Sequence, residues 1–223
     1  MSDKDLRSRI KRRLEYAGAT PNYGQVRELE HYFRLLTKWN KQLNLTSVDL
    51  DPPTDDAVDR LLIEPLSAAH SVLTADEYLV DVGSGSGSPA LPLRIAAPHL
   101  RLLMVESHTR KSAFLRDAVR ELSLPNVRIA NSRFEELELT ESMAFADLVS
   151  IRAVRPERTL VARIVEILRP GGRVLWFTSS SAAEEVLTAT DGLLVGQALA
   201  HLIPNNASRL LVLEKPLNSG PPG

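Results

Sequence analysis

The residues best suited to chemistry in this 223-residue chain fall at the ends of short apolar runs. Tyr78-Leu79-Val80-Asp81-Val82 leads directly into Gly83-Ser84-Gly85-Ser86-Gly87-Ser88-Pro89. Three glycines at alternate positions let a backbone turn tightly and approach a ligand with no Cβ in the way. A helix starting just beyond offers free N–H groups. Such a loop either holds a nucleotide-type cofactor or makes a tight structural turn. The run Leu102–Val105 ends in Glu106, which is placed to accept both hydroxyl hydrogens of a ribose or to serve as surface charge. After Val127–Ala130 come Asn131-Ser132-Arg133-Phe134-Glu135, where an adenine would lie, although Phe134 serves equally as core. Ala146–Ile151 is followed by Arg152, whose guanidinium fork suits a carboxylate or a phosphate. Arg152 can instead pair with a nearby carboxylate such as Asp147. Asn40 and Asn44 stand four residues apart on one helical face, to read a base or to cap the helix end.

Two cofactor patterns compete for the loop. Gly85, Gly87 and Ala90 fit the dinucleotide fingerprint G-x-G-x-x-G/A. Asp81, Gly83, Gly85 and Gly87 fit acid-x-Gly-x-Gly-x-Gly, the pattern of S-adenosylmethionine (SAM) methyltransferases. Only the second pattern accounts for Asp81. Glu106 supports an adenosine ligand in either case.

The elements that must position these residues follow from periodicity. Val26, Leu29, Phe33, Leu36, Trp39 and Leu43 recur at helical spacing, so residues 1–75 read as a helical extension. Thr54 or Asp55 caps a further helix through Val58, Leu61, Leu62 and Leu66, which Pro65 should kink or interrupt. From residue 78, six short apolar runs alternate with helices expected near 89–97, 109–123, 157–168 and 181–189. The sixth is Leu210–Leu213. Alternation of this kind predicts an α/β fold, a Rossmann-like doubly wound parallel sheet with helices on both faces, over residues 76–216. Residues 217–223 read as a flexible tail. Ligands of such sheets lie outside the carboxyl ends of the strands.

Composition removes other chemistries. There is no cysteine, so disulfides, thiolate metal sites and cysteine nucleophiles are excluded. The five histidines share no metal-like spacing, so no metal is expected, and no G-x-S-x-G signature appears. No apolar run is long enough to span a bilayer. The charged N-terminus lacks the apolar stretch of a secretory signal, and a cytoplasmic monomer is expected. Net charge is −1, but residues 1–41 carry ten Lys and Arg against five Asp and Glu. Residues 49–59 hold five Asp and no basic residue. The basic head, with Arg7 to Arg13, Lys38 and Lys41, reads either as solvated faces or as a phosphate-binding patch for nucleic acid.

At several points together the sequence resembles the glucose-inhibited division protein B family, bacterial methyltransferases of small-subunit (16S) ribosomal RNA that act at guanine N7. Trp39-Asn40-Lys41-Gln42-Leu43-Asn44-Leu45-Thr46 is similar to the family's W-N-x-x-x-N-L-T segment. Asp81 to Leu93 resembles D-V-G-S-G-x-G-F-P-G-L-P-L, Arg152-Ala153-Val154 its S-R-A-V, and Pro170-Gly171-Gly172-Arg173 its P-G-G-R. The resemblance implies SAM as cofactor and ribosomal RNA or the small ribosomal subunit as partner. It puts Gly83, Ser88, Phe134, Glu135 and Arg152 at cofactor-contacting positions, which join Asp81, Gly85, Gly87 and Glu106 from the loop and strand ends. Arg152, by its place after the fourth strand, and Asn44, by its helical face, are the expected catalytic residues. The chain departs from the pattern at Ser88, where the family has Phe, and at Ile151, where it has Ser. It departs also at Thr178-Ser179, where the family has Lys-Gly, and at Leu61 and Pro65, where it has His and Ser. A SAM-dependent enzyme acting on a small molecule or protein, and a nicotinamide-binding or non-catalytic domain, remain alternative readings.

Overall fold

The computed structural model describes residues 3–20, 22–73, 77–137, 144–204 and 206–217. The expected boundary at 75/76 and the tail from 218 lie outside the described residues. Helix α1 (Asp3–Tyr16) buries Leu6, Ile10 and Leu14 on one stripe. Helix α2 (Tyr23–Leu43) starts at a capping box, in which Asn22 Oδ1 accepts from Gln25 N–H and Gln25 Oε1 accepts from Asn22 N–H. It buries Val26, Leu29, Tyr32, Phe33 and Leu36 at the helical period. Thr54 caps α3 (Asp55–Val58) through Ala57 N–H. A single π-helical turn, Asp59–Ile63, then joins α3 to α4 (Glu64–Val72).

Pro65 explains that turn. It has no N–H to give to the carbonyl of Leu61, four residues back, or of Arg60, five residues back. Both carbonyls take side-chain donors instead. Ser88 Oγ donates to Leu61 O at 2.9 Å and Arg152 Nη1 to Arg60 O at 2.5 Å.

The remaining elements are β1 (Tyr78–Val82), α5 (Ala90–Ala96), β2 (Arg101–Val105), α6 (Thr109–Glu121), β3 (Val127–Ala130), β4 (Ala146–Arg152), α7 (Arg158–Ile167), β5 (Leu168–Ser179), α8 (Ala183–Thr190), β6 (Val195–His201) and β7 (Ser208–Glu214). They form one seven-stranded sheet in the order β3-β2-β1-β4-β5-β7-β6. Strands β1 to β5 are parallel, but β7 runs antiparallel between β5 and β6, so the sheet is mixed rather than wholly parallel. The sequence reading missed β6. Its Val-Gly-Gln-Ala-Leu-Ala-His run has only one β-branched residue and lies at the sheet edge, where pairing with β7 and not propensity makes it a strand.

Alternation along each strand divides the core into two. Leu79, Leu148, Leu175 and Phe177 face α1 to α6 in one continuous apolar cluster, which includes Ile10, Leu29 and Leu62 of the N-terminal helical region. Val80, Val82, Val149, Ile151, Val174 and Trp176 face α7 and α8. The order of the sheet reverses between β1 and β4, which places the loop after β1 at the switch point where such sheets hold ligands.

The basic head and the acidic segment neutralise one another. Arg9 and Arg12 reach Asp55, Lys41 reaches Asp51, and Arg13 makes two hydrogen bonds, of 2.7 and 2.5 Å, to Asp59. Arg7 and Arg34 converge on the buried Glu30. The expectation of a free phosphate patch from Arg7 to Arg13 is corrected accordingly, because those guanidinium groups already have carboxylate partners. Burial raises the pKa of Asp59 even with Arg13 acting to lower it, so this carboxylate depends on its partner. Arg13→Ala is therefore expected to destabilise the fold by about 3 kcal/mol, the cost of stranding a largely buried charge. Asp59→Asn in the same chain should recover part of that loss. Urea denaturation of the single and double variants measures both.

Candidate active site

The glycine loop is tied down at each turn. Gly83 and Ser84 N–H donate to Val105 O at 3.0 and 3.1 Å, and Gly87 N–H donates to Ser84 O. Gly85 N–H donates to Glu106 Oε2 at 2.9 Å. The hydroxyl of Tyr32, from α2, donates to Ser86 O at 2.7 Å. Gly83, Gly85 and Gly87 all have positive φ, at 69°, 48° and 84°. A Cβ on Gly87 would fall 2.6 Å from Leu91 Cδ1, and one on Gly83 would fall 2.9 Å from Val154 Cγ2. At Gly85 the nearest atom would be Gly83 O at 3.6 Å. The loop is thus packed against protein on both flanks and open at its centre, as a cradle for a ligand must be.

Two buried carboxylates face this loop. Glu106 is 4% exposed, and its Oε1 accepts from the backbone N–H of His108 at 2.8 Å. Oε1 also lies 3.0 Å from His108 Nδ1, whereas Oε2, held by Gly85 N–H alone, keeps a further lone pair for a hydroxyl donor. Asp81 is 1% exposed. Pairing of β1 with β4 sets it opposite Ser150, whose hydroxyl donates to Oδ1 at 2.5 Å. Its other oxygen, Oδ2, has no hydrogen-bond partner. Burial pushes the Asp81 carboxyl up to about 6, against the hydrogen bond from Ser150 and the positive charge of Arg152. A buried acceptor left open is what a cationic ligand would satisfy, so the residues present fit SAM, which carries an ammonium and a ribose.

Arg152 ends β4 directly opposite Phe177 of β5, and its guanidinium lies over that ring at 4.6 Å. Nη2 lies 2.9 Å from Glu64 Oε2 as an ion pair without hydrogen-bond alignment, and Nε has no acceptor. Burial lowers the Arg152 pKa, with Glu64 opposing. Its carboxylate partner is therefore Glu64 and not Asp147. Asp147 lies at the other end of β4, where it accepts from Tyr78 N–H and pairs with Arg169. A cavity of about 460 Å³ opens beside Arg152, between the ends of β4 and β5. Val154 lines it, and Val154 Cγ2 stands 2.9 Å from where a Cβ on Gly83 would fall, so the cavity lies beside the loop.

The other expected residues are placed as follows. Ser88 turns its hydroxyl to Leu61 O, away from the open centre of the loop. Phe134 is buried in the core with Val82, Val105 and Ile151, while Glu135 is exposed beside it. Asn131 Nδ2 donates to the carbonyls of Glu106 and Ser107 and so braces the end of β2. Asn44 is exposed and forms the left-handed C-cap of α2, and Asn40 Oδ1 accepts from Thr46 N–H. Among the described residues no hydrogen bond joins Asn44 to the glycine loop. Sequence reasoning missed Tyr32, Glu64 and Ser150. Glu64 alone gave a signal, as a single acid among Leu61, Leu62, Ile63 and Leu66.

Two outcomes are expected. Gly87→Ala should prevent stable folding, whereas Gly85→Ala should fold with a cost of about 1–2 kcal/mol for its left-handed backbone and lose SAM binding. Thermal melts with and without SAM separate them. Protonation of Asp81 is favoured in the ligand-free protein, so its contribution to stability is present below the unfolded value and lost as pH rises past about 6. A cationic ligand needs the ionised form. SAM affinity is therefore expected to fall as pH drops through about 6, and Asp81→Asn should flatten that profile in calorimetry.

Comparison with known proteins bears on what the site serves. The family model described as rRNA small subunit methyltransferase G matches residues 25–211. A protein of Xanthomonas euvesicatoria named ribosomal RNA small subunit methyltransferase G is 36% identical over 176 residues, 79% of either chain. The protein of that name from Stenotrophomonas maltophilia is 36% identical over 80% of this chain and 81% of its own. Among solved structures, a SAM-dependent methyltransferase from Aquifex aeolicus superposes with a TM-score of 0.59 at 12% identity, over 70% of this chain and 92% of that one. The 1,6-didemethyltoxoflavin-N1-methyltransferase of Burkholderia thailandensis superposes at 0.54 and 18% identity, over 73% and 81%. These likenesses support the fold. With its glycine cradle, paired buried carboxylates and a family match over most of its length, the chain belongs to the rRNA small subunit methyltransferase G (GidB) family.

Proposed function

We propose that this chain transfers the methyl group of SAM to N7 of a guanine in small-subunit ribosomal RNA. The observation that carries the reading is the cavity at the ends of β4 and β5, which lies beside the glycine cradle at Val154 and has Arg152 and Phe177 in its wall. Guanine N7 has an exposed lone pair and loses no proton on methylation, so no general base is needed. That suits a cavity wall with no histidine in it. SAM supplies a methyl carbon made electrophilic by its sulfonium. Asp81 Oδ2 would hold its ammonium, Glu106 its ribose hydroxyls, and the 131–135 segment with Phe134 and Glu135 its adenine side.

Arg152 holds either the carboxylate of SAM or a phosphate of the target nucleotide. Its ring contact with Phe177 and its ion pair with Glu64 fix the fork in place. The N7 edge of paired RNA lies in a deep, narrow groove, so the target guanine must be unstacked or in a loop to enter the cavity. Helices α1 to α4 act as an extension that packs on the catalytic sheet, and Asn44 stands at the exposed end of α2. Ribosomal RNA as substrate sets the work in the cytoplasm.

Labelled methyl from SAM should appear in small-subunit RNA and, after digestion, in 7-methylguanosine. Label in a small molecule or protein instead would support the alternative enzyme. Arg152→Lys keeps the charge but loses the fork, and transfer is expected to fall at least about tenfold, ~1.4 kcal/mol of transition-state stabilisation. Full activity in that variant would remove Arg152 from the reacting centre.

A further inference from the structure

The basic N-terminal helices are largely spent on internal pairs, yet an enzyme of RNA must meet phosphates somewhere. Among the described residues, Arg7, Arg9, Arg12, Arg13, Arg34 and Lys41 all have carboxylate partners, which leaves Arg27 and Lys38 exposed on α2. The cavity beside Arg152 is different. Its wall includes Arg60 and Arg155, both exposed and without an anionic partner among the described residues. Arg60 also acts on Arg152 as a like charge, lowering its pKa, so its guanidinium stands near that group. The charged groups of this wall are Arg60, Arg152 and Arg155 against Glu64 and Glu185. Glu64 is buried and already engaged by Arg152 and by Asn206, while Glu185 is exposed on the α8 side. One positive charge is left over at a cavity mouth that also presents the hydroxyl residues Thr178, Ser179 and Ser208.

We propose that Arg60 and Arg155 grip the phosphodiesters flanking the target nucleotide, so that the RNA backbone is held at the mouth of the acceptor cavity and not on the N-terminal helix α1. The assignment rests on the methyl-transfer reading above and adds where the RNA is held. Two guanidinium groups in the wall of one cavity can seat a backbone while its base enters. Arg60 lies in the π-helical turn, whose position is set by the bond from Arg152 to its carbonyl. Substrate grip and reacting centre are thereby joined through one short segment.

The test is a salt titration of binding to a fluorescein-labelled fragment of small-subunit ribosomal RNA. Wild type is compared with Arg60→Ala/Arg155→Ala, with Arg60→Lys/Arg155→Lys and with Arg27→Ala/Lys38→Ala. Loss of two phosphate contacts should weaken binding at least about tenfold at low salt and flatten the log–log salt slope by roughly 1.4–1.8. The lysine pair should retain most of the slope, since it keeps both charges. Calorimetric SAM affinity should be the same in all four proteins, which shows that the site is intact. An unchanged slope in the Arg60/Arg155 alanine pair, or a flattened slope only in the Arg27/Lys38 pair, overturns the proposal. So does the absence of RNA binding by wild type. Methyl transfer is scored separately. Wild type that binds the fragment with the expected slope change but labels no RNA would overturn the methyl-transfer reading and leave the grip standing.

Discussion

A missing amide hydrogen organises this molecule. Pro65 sits where a helix would otherwise run unbroken from Asp55 to Val72, and it withdraws a donor from the carbonyls behind it. An unmet carbonyl in a buried helix costs more than a hydrogen bond gains, so the chain must supply donors from elsewhere. It does so with Ser88, from the end of the glycine loop, and Arg152, from the end of β4. The same segment contributes Glu64 as the partner of Arg152. One backbone defect therefore binds the N-terminal helices to both halves of the site.

Around that segment, charge is settled by pairing at short range. A net charge of −1 conceals a basic head and an acidic run that lie against each other in the fold. Most of these pairs are exposed and contribute little to stability, but Arg13 with Asp59 is largely buried, and there the loss of one partner strands the other. What remains unpaired matters more for recognition than what is abundant. Arg60 and Arg155 are two residues among twenty-seven Lys and Arg, yet both line the cavity.

The cradle itself is a compromise between stability and use. Asp81 is held uncomfortably, buried with one oxygen unmet and its carboxyl pushed up to about 6. Packing alone would favour an apolar residue there. Under the proposed role of Asp81, a ligand cation would relieve that cost, and energy lost in the free protein would return as affinity. Glu106 is the contrary case. Its carboxylate is satisfied by N–H groups of Gly85 and His108, and it shapes the loop before any ligand arrives.

Much of this was legible in the sequence because it depends on local pattern. Short apolar runs placed the strands β1 to β5 and β7, the 3.6-residue period placed the N-terminal helices, and the glycine spacing marked the loop, since positive φ at three alternate positions needs residues without Cβ. Acid at the strand ends identified Asp81 and Glu106. Tertiary structure decided the rest, because it turns on partners far apart in the chain. The edge strand β6 exists through its pairing with β7. Asp81 meets Ser150, 69 residues on, only because β1 and β4 are neighbours in that register. Tyr32 reaches Ser86 across 54 residues, and Arg152 finds Glu64 and the Arg60 carbonyl, 92 residues back, where sequence proximity had suggested Asp147. Periodicity shows which face of an element is buried. The identity of the group lying against that face is fixed only when the sheet order and the packing of the helices bring distant segments together.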